Sequence, residues 1–201
     1  NPVGLIIDFA FNSKGDLIIA KMNHGFFCIN KDGSAMLGGG TYAPQNPGCV
    51  VVDKNDDFWV GGRDGTGIYK VLEDTAYNYR AAQGIYCHDI TDGICAENGD
   101  LYFSSIADGA FRLSNNEITY FTTNEGLSSN AINSVSEDAD GRIWFCTENG
   151  LNYLENNTLK SVSFSDSKIP TNIMGIVQDA NRNYWITTVK GLKTRLTACV
   201  R

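Results

Sequence analysis

Between Gly126 and Leu154 (GLSSNAINSVSEDADGRIWFCTENGLNYL) the chain alternates short apolar runs with clusters of turn residues. Ile132–Ser136 alternates apolar and polar positions, Asp138–Arg142 is a polar turn, Ile143–Thr147 is an aromatic and aliphatic run, Glu148–Gly150 turns again, and Leu151–Leu154 returns. Period-two segments this short, separated by Gly, Asn and Asp, predict an up-and-down meander of antiparallel strands. The pattern places strand A over Ile132–Glu137, strand B over Arg142–Thr147, strand C over Gly150–Glu155 and strand D over Leu159–Phe164.

The same unit recurs along the chain. Strand-B anchors fall at Ile18, Trp59, Tyr102, Trp144 and Trp185, at intervals of 41, 43, 42 and 41 residues. The glycine after the second turn falls at Gly25, Gly67, Gly109, Gly150 and Gly191, at intervals of 42, 42, 41 and 41. Two independent markers with one period, four short strands per unit and no helical periodicity predict an all-β fold, a β-propeller of about five four-stranded antiparallel blades. The expected blades run approximately over 5–46, 47–88, 89–130, 131–172 and 173–201, within one propeller region. The pattern opens at strand A and closes before a strand comparable to Leu159–Phe164, so part of a larger propeller, or an incomplete ring, is expected. Trp59, Tyr102, Trp144 and Trp185 share one strand position and are expected to be structural anchors between blades, not sugar platforms.

Composition narrows the function classes. A net charge of −7 and a pI near 4.7, with no cluster of Lys and Arg, argue against a nucleic-acid partner. No apolar run reaches the ~18–20 residues of a membrane helix, so direct membrane insertion of this region is not expected. Six cysteines without a CxxC pair make neither a disulfide scaffold nor a zinc site, and Cys146 fills a small-residue slot held elsewhere by Ala20, Gly61, Ser104 and Thr187. Two histidines cannot supply a three-His zinc site, and the Asp53–Asp57 and Asp138–Gly141 turns lack the distal glutamate of a calcium loop. No metal or cofactor is expected.

Gly126–Leu154 resembles the two-component regulator propeller repeat in its Gly-Leu-Ser-Ser-Asn start, its acidic residue followed by Asp-x-x-Gly, its aliphatic-Trp strand and its Thr-x-x-Gly-Leu close. Ile169–Leu192 keeps P-T-N, Q-D-A-N, Y-W-I and K-G-L, whereas Lys21–Gly25 lacks the Thr-x-x-Gly form. The resemblance implies the periplasmic or extracellular sensor domain of a bacterial hybrid two-component system, one that binds a glycan or similar small ligand and signals across the membrane without transforming it. It further implies an oligosaccharide as partner and a homodimer formed through the full-length sensor.

In such a meander the B–C turns and the D-to-A connections share one face. On that face His88, Asn130 and Asn172 are expected at equivalent connection positions, beside Tyr86, Ser128, Ser129 and Thr171; imidazole, amide and hydroxyl groups next to an aromatic ring suit sugar hydroxyls. The B–C turns add His24, Arg63, Asp64, Asp108, Glu148, Asn149 and Lys190, of which His24, Arg63 and Lys190 depart most from the repeat. Arg63 and Lys190 suit an acidic sugar or carboxylate. Against these stand the bland roles: Asn before a strand commonly completes its own loop, and turn charges commonly only meet water. A propeller lyase or glycosidase working through His88 or His24 with a nearby carboxylate, and a protein-interaction scaffold, are the alternative classes.

Overall fold

The computed structural model describes residues 4–37, 44–72, 75–79, 84–164 and 171–196. The first sheet is β1 (Ile6–Phe11), β2 (Leu17–Lys21), β3 (Gly25–Ile29) and β4 (Ala35–Leu37); the second is β5 (Pro47–Val52), β6 (Phe58–Gly62), β7 (Ile68–Leu72) and β8 (Thr75–Tyr79). The third is β9 (Ile90–Cys95), β10 (Leu101–Ser105), β11 (Ala110–Ser114) and β12 (Glu117–Phe121), and the fourth β13 (Ile132–Glu137), β14 (Ile143–Thr147), β15 (Gly150–Glu155) and β16 (Thr158–Ser161). The fifth, β17 (Ile173–Gln178), β18 (Tyr184–Thr188) and β19 (Gly191–Leu196), has three strands among the described residues. Every sheet is an antiparallel meander in chain order.

Hydrophobic cores lie between sheets, as blade stacking requires. Ile18 and Phe26 of the first blade pack against Val60 and Tyr69 of the second. Trp59 of the second packs with Phe103 and Phe111 of the third; Tyr102 and Phe121 of the third with Phe145 of the fourth; Trp144 of the fourth with Ile176 and Tyr184 of the fifth. Trp59, Tyr102 and Trp144 are 4%, 3% and 1% exposed, whereas Trp185, on the last blade of the arc, is 37% exposed. Apolar side chains stand open at both ends of the arc: Phe9 and Phe11 on β1, Val177 and Trp185 on the fifth blade. The sheets therefore form an open arc.

Two local devices repeat. In the A–B hairpins one aspartate organises both turn and tryptophan. Asp138 accepts the backbone N–H groups of Asp140 and Arg142 on Oδ1 and the Trp144 indole N–H on Oδ2 at 2.9 Å. Asp53 does the same for Asn55, Asp57 and Trp59, and Asp179 for Asn181, Asn183 and Trp185. Hydrogen bonds thus occupy the carboxylates that a calcium reading would need. At the start of every strand A the pairing register slips by one residue, a β-bulge that leaves Ile7, Gly48, Thr91, Asn133 and Met174 as the extra residues. Thr91 Oγ1 donates to Ile132 O (2.9 Å) and Asn133 Nδ2 to Ile173 O (2.7 Å), so the bulged side chain ties its blade to the next.

Strand D of the fourth blade is Thr158–Ser161, earlier and shorter than the expected Leu159–Phe164. The reason is the turn before it: Asn156 and Asn157 both take positive φ (50° and 60°), closing a two-residue hairpin that starts strand D at once.

Candidate functional site

The B–C turns and the D-to-A connections are bonded together, which defines the shared face. Four turns donate to the connection preceding their own blade: Met22 N to Leu5 O, Arg63 N to Asn46 O, Ile106 N to Asp89 O and Glu148 N to Ala131 O, at 2.7–3.1 Å. Three donate onward to the connection entering the next blade: Gly25 N to Gln45 O, Gly65 N to His88 O and Gly109 N to Asn130 O. Gly109 sits at φ +84°, and a Cβ there would collide with the Phe121 carbonyl, so this crossing of turn and connection needs glycine.

This stitching sorts the candidate residues. Ile90, Ile132 and Ile173 pair with Ser105, Thr147 and Thr188, respectively, as equivalent first residues of strand A. His88 and Asn130 lie two residues before that isoleucine, but Asn172 lies one before it and is the counterpart of Asp89 and Ala131. The expected equivalence of Asn172 is thus corrected: Thr171 holds the matching position, and the Asn172 side chain accepts Asn133 Nδ2 at 3.0 Å, inside the contact between the fourth and fifth blades. His24 and Lys190 occupy matching turn positions on the first and fifth blades, at the two ends of the arc, and are not brought to His88. The His24 ring makes a hydrogen bond with Met22 O at 2.9 Å. Arg63 is exposed on the B–C turn of the second blade.

The remaining candidates converge where the connection 84–88 passes from the second blade to the third. Tyr86 is 65% exposed. His88 Nδ1 lies 3.2 Å from Asp108 Oδ2, and the same oxygen accepts the His88 backbone N–H at 2.8 Å. Tyr86 borders two open depressions. One, of about 170 Å³, is walled by Gly65–Gly67, Ile85, Cys87 and His88. The other, of about 350 Å³, is walled by Ala107, Asp108, Tyr120, Thr122, Asn124 and Asn130. Asn130 serves the loop as well as the depression, since its Oδ1 accepts Thr123 N at 2.8 Å. Ser128 and Ser129 are likewise engaged, Ser128 N on Asn152 Oδ1 and Ser129 Oγ by Ala131 N.

Tyr120 was not a candidate from sequence, yet it holds the site in shape. Its hydroxyl donates to Gly84 O and accepts Tyr86 N, both at 2.7 Å, and burial pushes its pKa up to about 12. Cross-strand pairing makes Asn78 and Ser161 its counterparts, so an aromatic hydroxyl at this strand-D position is the signal that alignment of the C–D hairpins exposes. Tyr120→Phe removes both bonds while keeping the ring against Phe111, and is expected to cost about 1–2 kcal/mol of stability. Its distinguishing readout is the Tyr86 amide, whose hydrogen exchange should accelerate at least tenfold while amides of β10 and β11 hold their rates.

The open arc of meander blades with interblade cores makes this a β-propeller. Within it, residues 126–149 match the family model described as Two component regulator propeller. No curated protein matches the chain in sequence. Among solved structures it resembles virginiamycin B lyase from Staphylococcus aureus (TM-score 0.73, 17% identity, covering 94% of this chain and 64% of the lyase). It also resembles the extracellular domain described as that of a hybrid two component system from B. thetaiotaomicron (TM-score 0.71, 18% identity, 89% of this chain and 26% of that one). A gluconolactonase from Xanthomonas campestris follows at TM-score 0.59 and 14% identity, over 92% of this chain and 69% of the enzyme. The chain thus spans less than two thirds of the lyase and about a quarter of the extracellular domain, and at these identities the likeness is one of fold.

Proposed function

We propose that this chain is the ligand-sensing propeller of a bacterial two-component sensor, located in the periplasm or outside the cell, where it binds a glycan without transforming it. The observation that carries the reading is the exposed Tyr86 set beside the His88–Asp108 pair and the Asn130 depression, an aromatic surface next to hydroxyl, amide and imidazole groups. The regulator-propeller repeat at 126–149 supports the sensor role, and a homodimer of the whole sensor is the expected route of the signal across the membrane. Thermal shift against an oligosaccharide panel, with chromatography of each sample for product, tests this reading. Stabilisation by at least one glycan without product is expected, and His88→Ala should weaken that binding about three- to tenfold, the worth of one or two hydrogen bonds. Unchanged affinity in His88→Ala removes the site.

The His88–Asp108 pair also favours a second reading, catalysis, because a carboxylate that orients an imidazole is the arrangement of a general acid or base. Product in the chromatogram, lost in His88→Ala, selects it over the sensor.

A further inference from the structure

Resting on the glycan-binding reading, we infer that the ligand is a neutral glycan at least two units long, laid across Tyr86 with one unit in each depression. Tyr86 is a wall of both hollows, and His88 of the smaller lies 3.2 Å from Asp108 of the larger, so the two lobes meet along one side-chain boundary. The smaller lobe, of about 170 Å³, is too tight for a chain, and the larger is about twice its volume; a ligand confined to either leaves the wall that Tyr86 gives the other unused.

Charge decides the class. Among the described residues neither lobe is walled by Lys or Arg, and the charged side chain that borders the larger one is Asp108, an anion. Thr122, Asn124 and Asn130 complete that wall with neutral hydroxyls and amides. Arg63 and Lys190, which sequence alone favours for an acidic sugar, stand outside both linings. A uronate or sulfate placed in the larger lobe meets a carboxylate and no Lys or Arg among the described lining residues, on a chain of net charge −7, whereas sugar hydroxyls find donors and acceptors.

The loop that carries Tyr86 is built to hold the platform. Tyr120 clamps it at Gly84 O and Tyr86 N, and Asp108 clamps it at His88 N, so both pins come from the third blade and flank the aromatic ring. A stacking surface held at both sides loses little freedom when a sugar lands on it.

The test is calorimetric titration of the protein with neutral gluco-oligosaccharides of one to four units and with a uronic-acid oligomer of matching length, repeated on Tyr86→Ala. Tyr86 is mostly exposed, so the variant is expected to fold normally. The expected result is a step of at least tenfold in affinity between one and two units, little gain beyond three, weaker binding of the acidic oligomer, and loss of the step in Tyr86→Ala. Equal affinity for one and four units, tighter binding of the uronic-acid oligomer, or an intact step in Tyr86→Ala overturns the inference while leaving glycan sensing in place. Failure of every oligosaccharide to bind overturns the inference together with the glycan reading beneath it.

Discussion

Asp138→Ala is expected to cost about 3–5 kcal/mol, because it removes the acceptor from a buried network and leaves its donors without partners. The Asp138 side chain is 2% exposed. Its Oδ2 accepts the Trp144 indole N–H at 2.9 Å and the Tyr184 hydroxyl at 2.6 Å, the first from its own blade and the second from the next. Its Oδ1 closes the A–B turn, and Arg142, 3.5 Å away, balances its charge while reaching on to Glu155 at 2.6 Å. One carboxylate therefore holds a turn, a core tryptophan and an interblade seam. Asp53→Ala should cost less, since Asp53 serves only its own turn and Trp59 among the bonds described, besides the flanking Lys70. Denaturant unfolding of the two variants, followed by tryptophan fluorescence, tests the ranking; equal losses contradict it.

The same network sets a pH signature. Burial works to raise the Asp138 pKa, but the Tyr184, Trp144 and turn N–H donors outweigh it and hold the carboxyl below its ordinary value. A folded pKa below the unfolded ~3.9 contributes stability above about pH 4 and loses it as pH falls through the folded value. The stability gap between the wild-type protein and Asp138→Ala should be flat from pH 5 to 7 and narrow below pH 4. Asp92 has the opposite sign: burial, opposed by N–H bonds from Val135 and Gly93, raises it to about 6. Its contribution weakens as pH rises from about 4 to 6, so the comparison is made on variant differences, in which the Asp92 contribution cancels.

Local chemistry made the strands, the A–B turns and the tryptophan position readable, because each is decided within about ten residues. At all five A–B turns one residue takes positive φ: Gly15, Asp56, Gly99, Gly141 and Arg182. Glycine announces three of them. Asp56 and Arg182 take the left-handed conformation without glycine, and their side chains reach the neighbouring blade, Asp56 to Ser13 and Arg182 to Asp140, partners that a window on the local sequence does not contain. The site was readable in part for the same reason. Tyr86, His88, Asp108 and Asn130 sit on turns and connections that the repeat pattern locates, but Tyr120 lies in a strand and acts on the blade-to-blade loop through its hydroxyl. Asn172 falls one residue off because the expectation repeats the 42-residue step from His88 to Asn130, whereas the fourth and fifth blades are 41 residues apart by strand pairing and by glycine spacing alike, which carries Asn130 onto Thr171.

Gly48→Ala should cost about 3 kcal/mol and weaken the proposed glycan binding with it, since it acts on the seam that positions His88. Gly48 is the bulged residue of β5, the counterpart of Thr91 and Asn133. Those two residues use their side chains to reach the carbonyl of the isoleucine opening the next blade. Gly48 has none, and the blades close up instead: a Cβ on Gly48 would overlap the Ile90 carbonyl oxygen and lie 3.0 Å from its carbon. Both are backbone atoms, so no rotamer change relieves the clash and the third blade must move outward. Ile90 follows His88 by two residues, and His88 O accepts Gly65 N at 3.1 Å across the same seam, so the displacement reaches the candidate site. Gly48→Asn demands a similar displacement but supplies an amide donor to Ile90 O, as Asn133 does for Ile173 O, and should recover about 1 kcal/mol relative to alanine. Urea unfolding of the three proteins checks the order, wild type above Gly48→Asn above Gly48→Ala; an alanine variant within 0.5 kcal/mol of wild type, roughly the scatter of a neutral surface substitution, would show that the blades do not pack at this carbonyl.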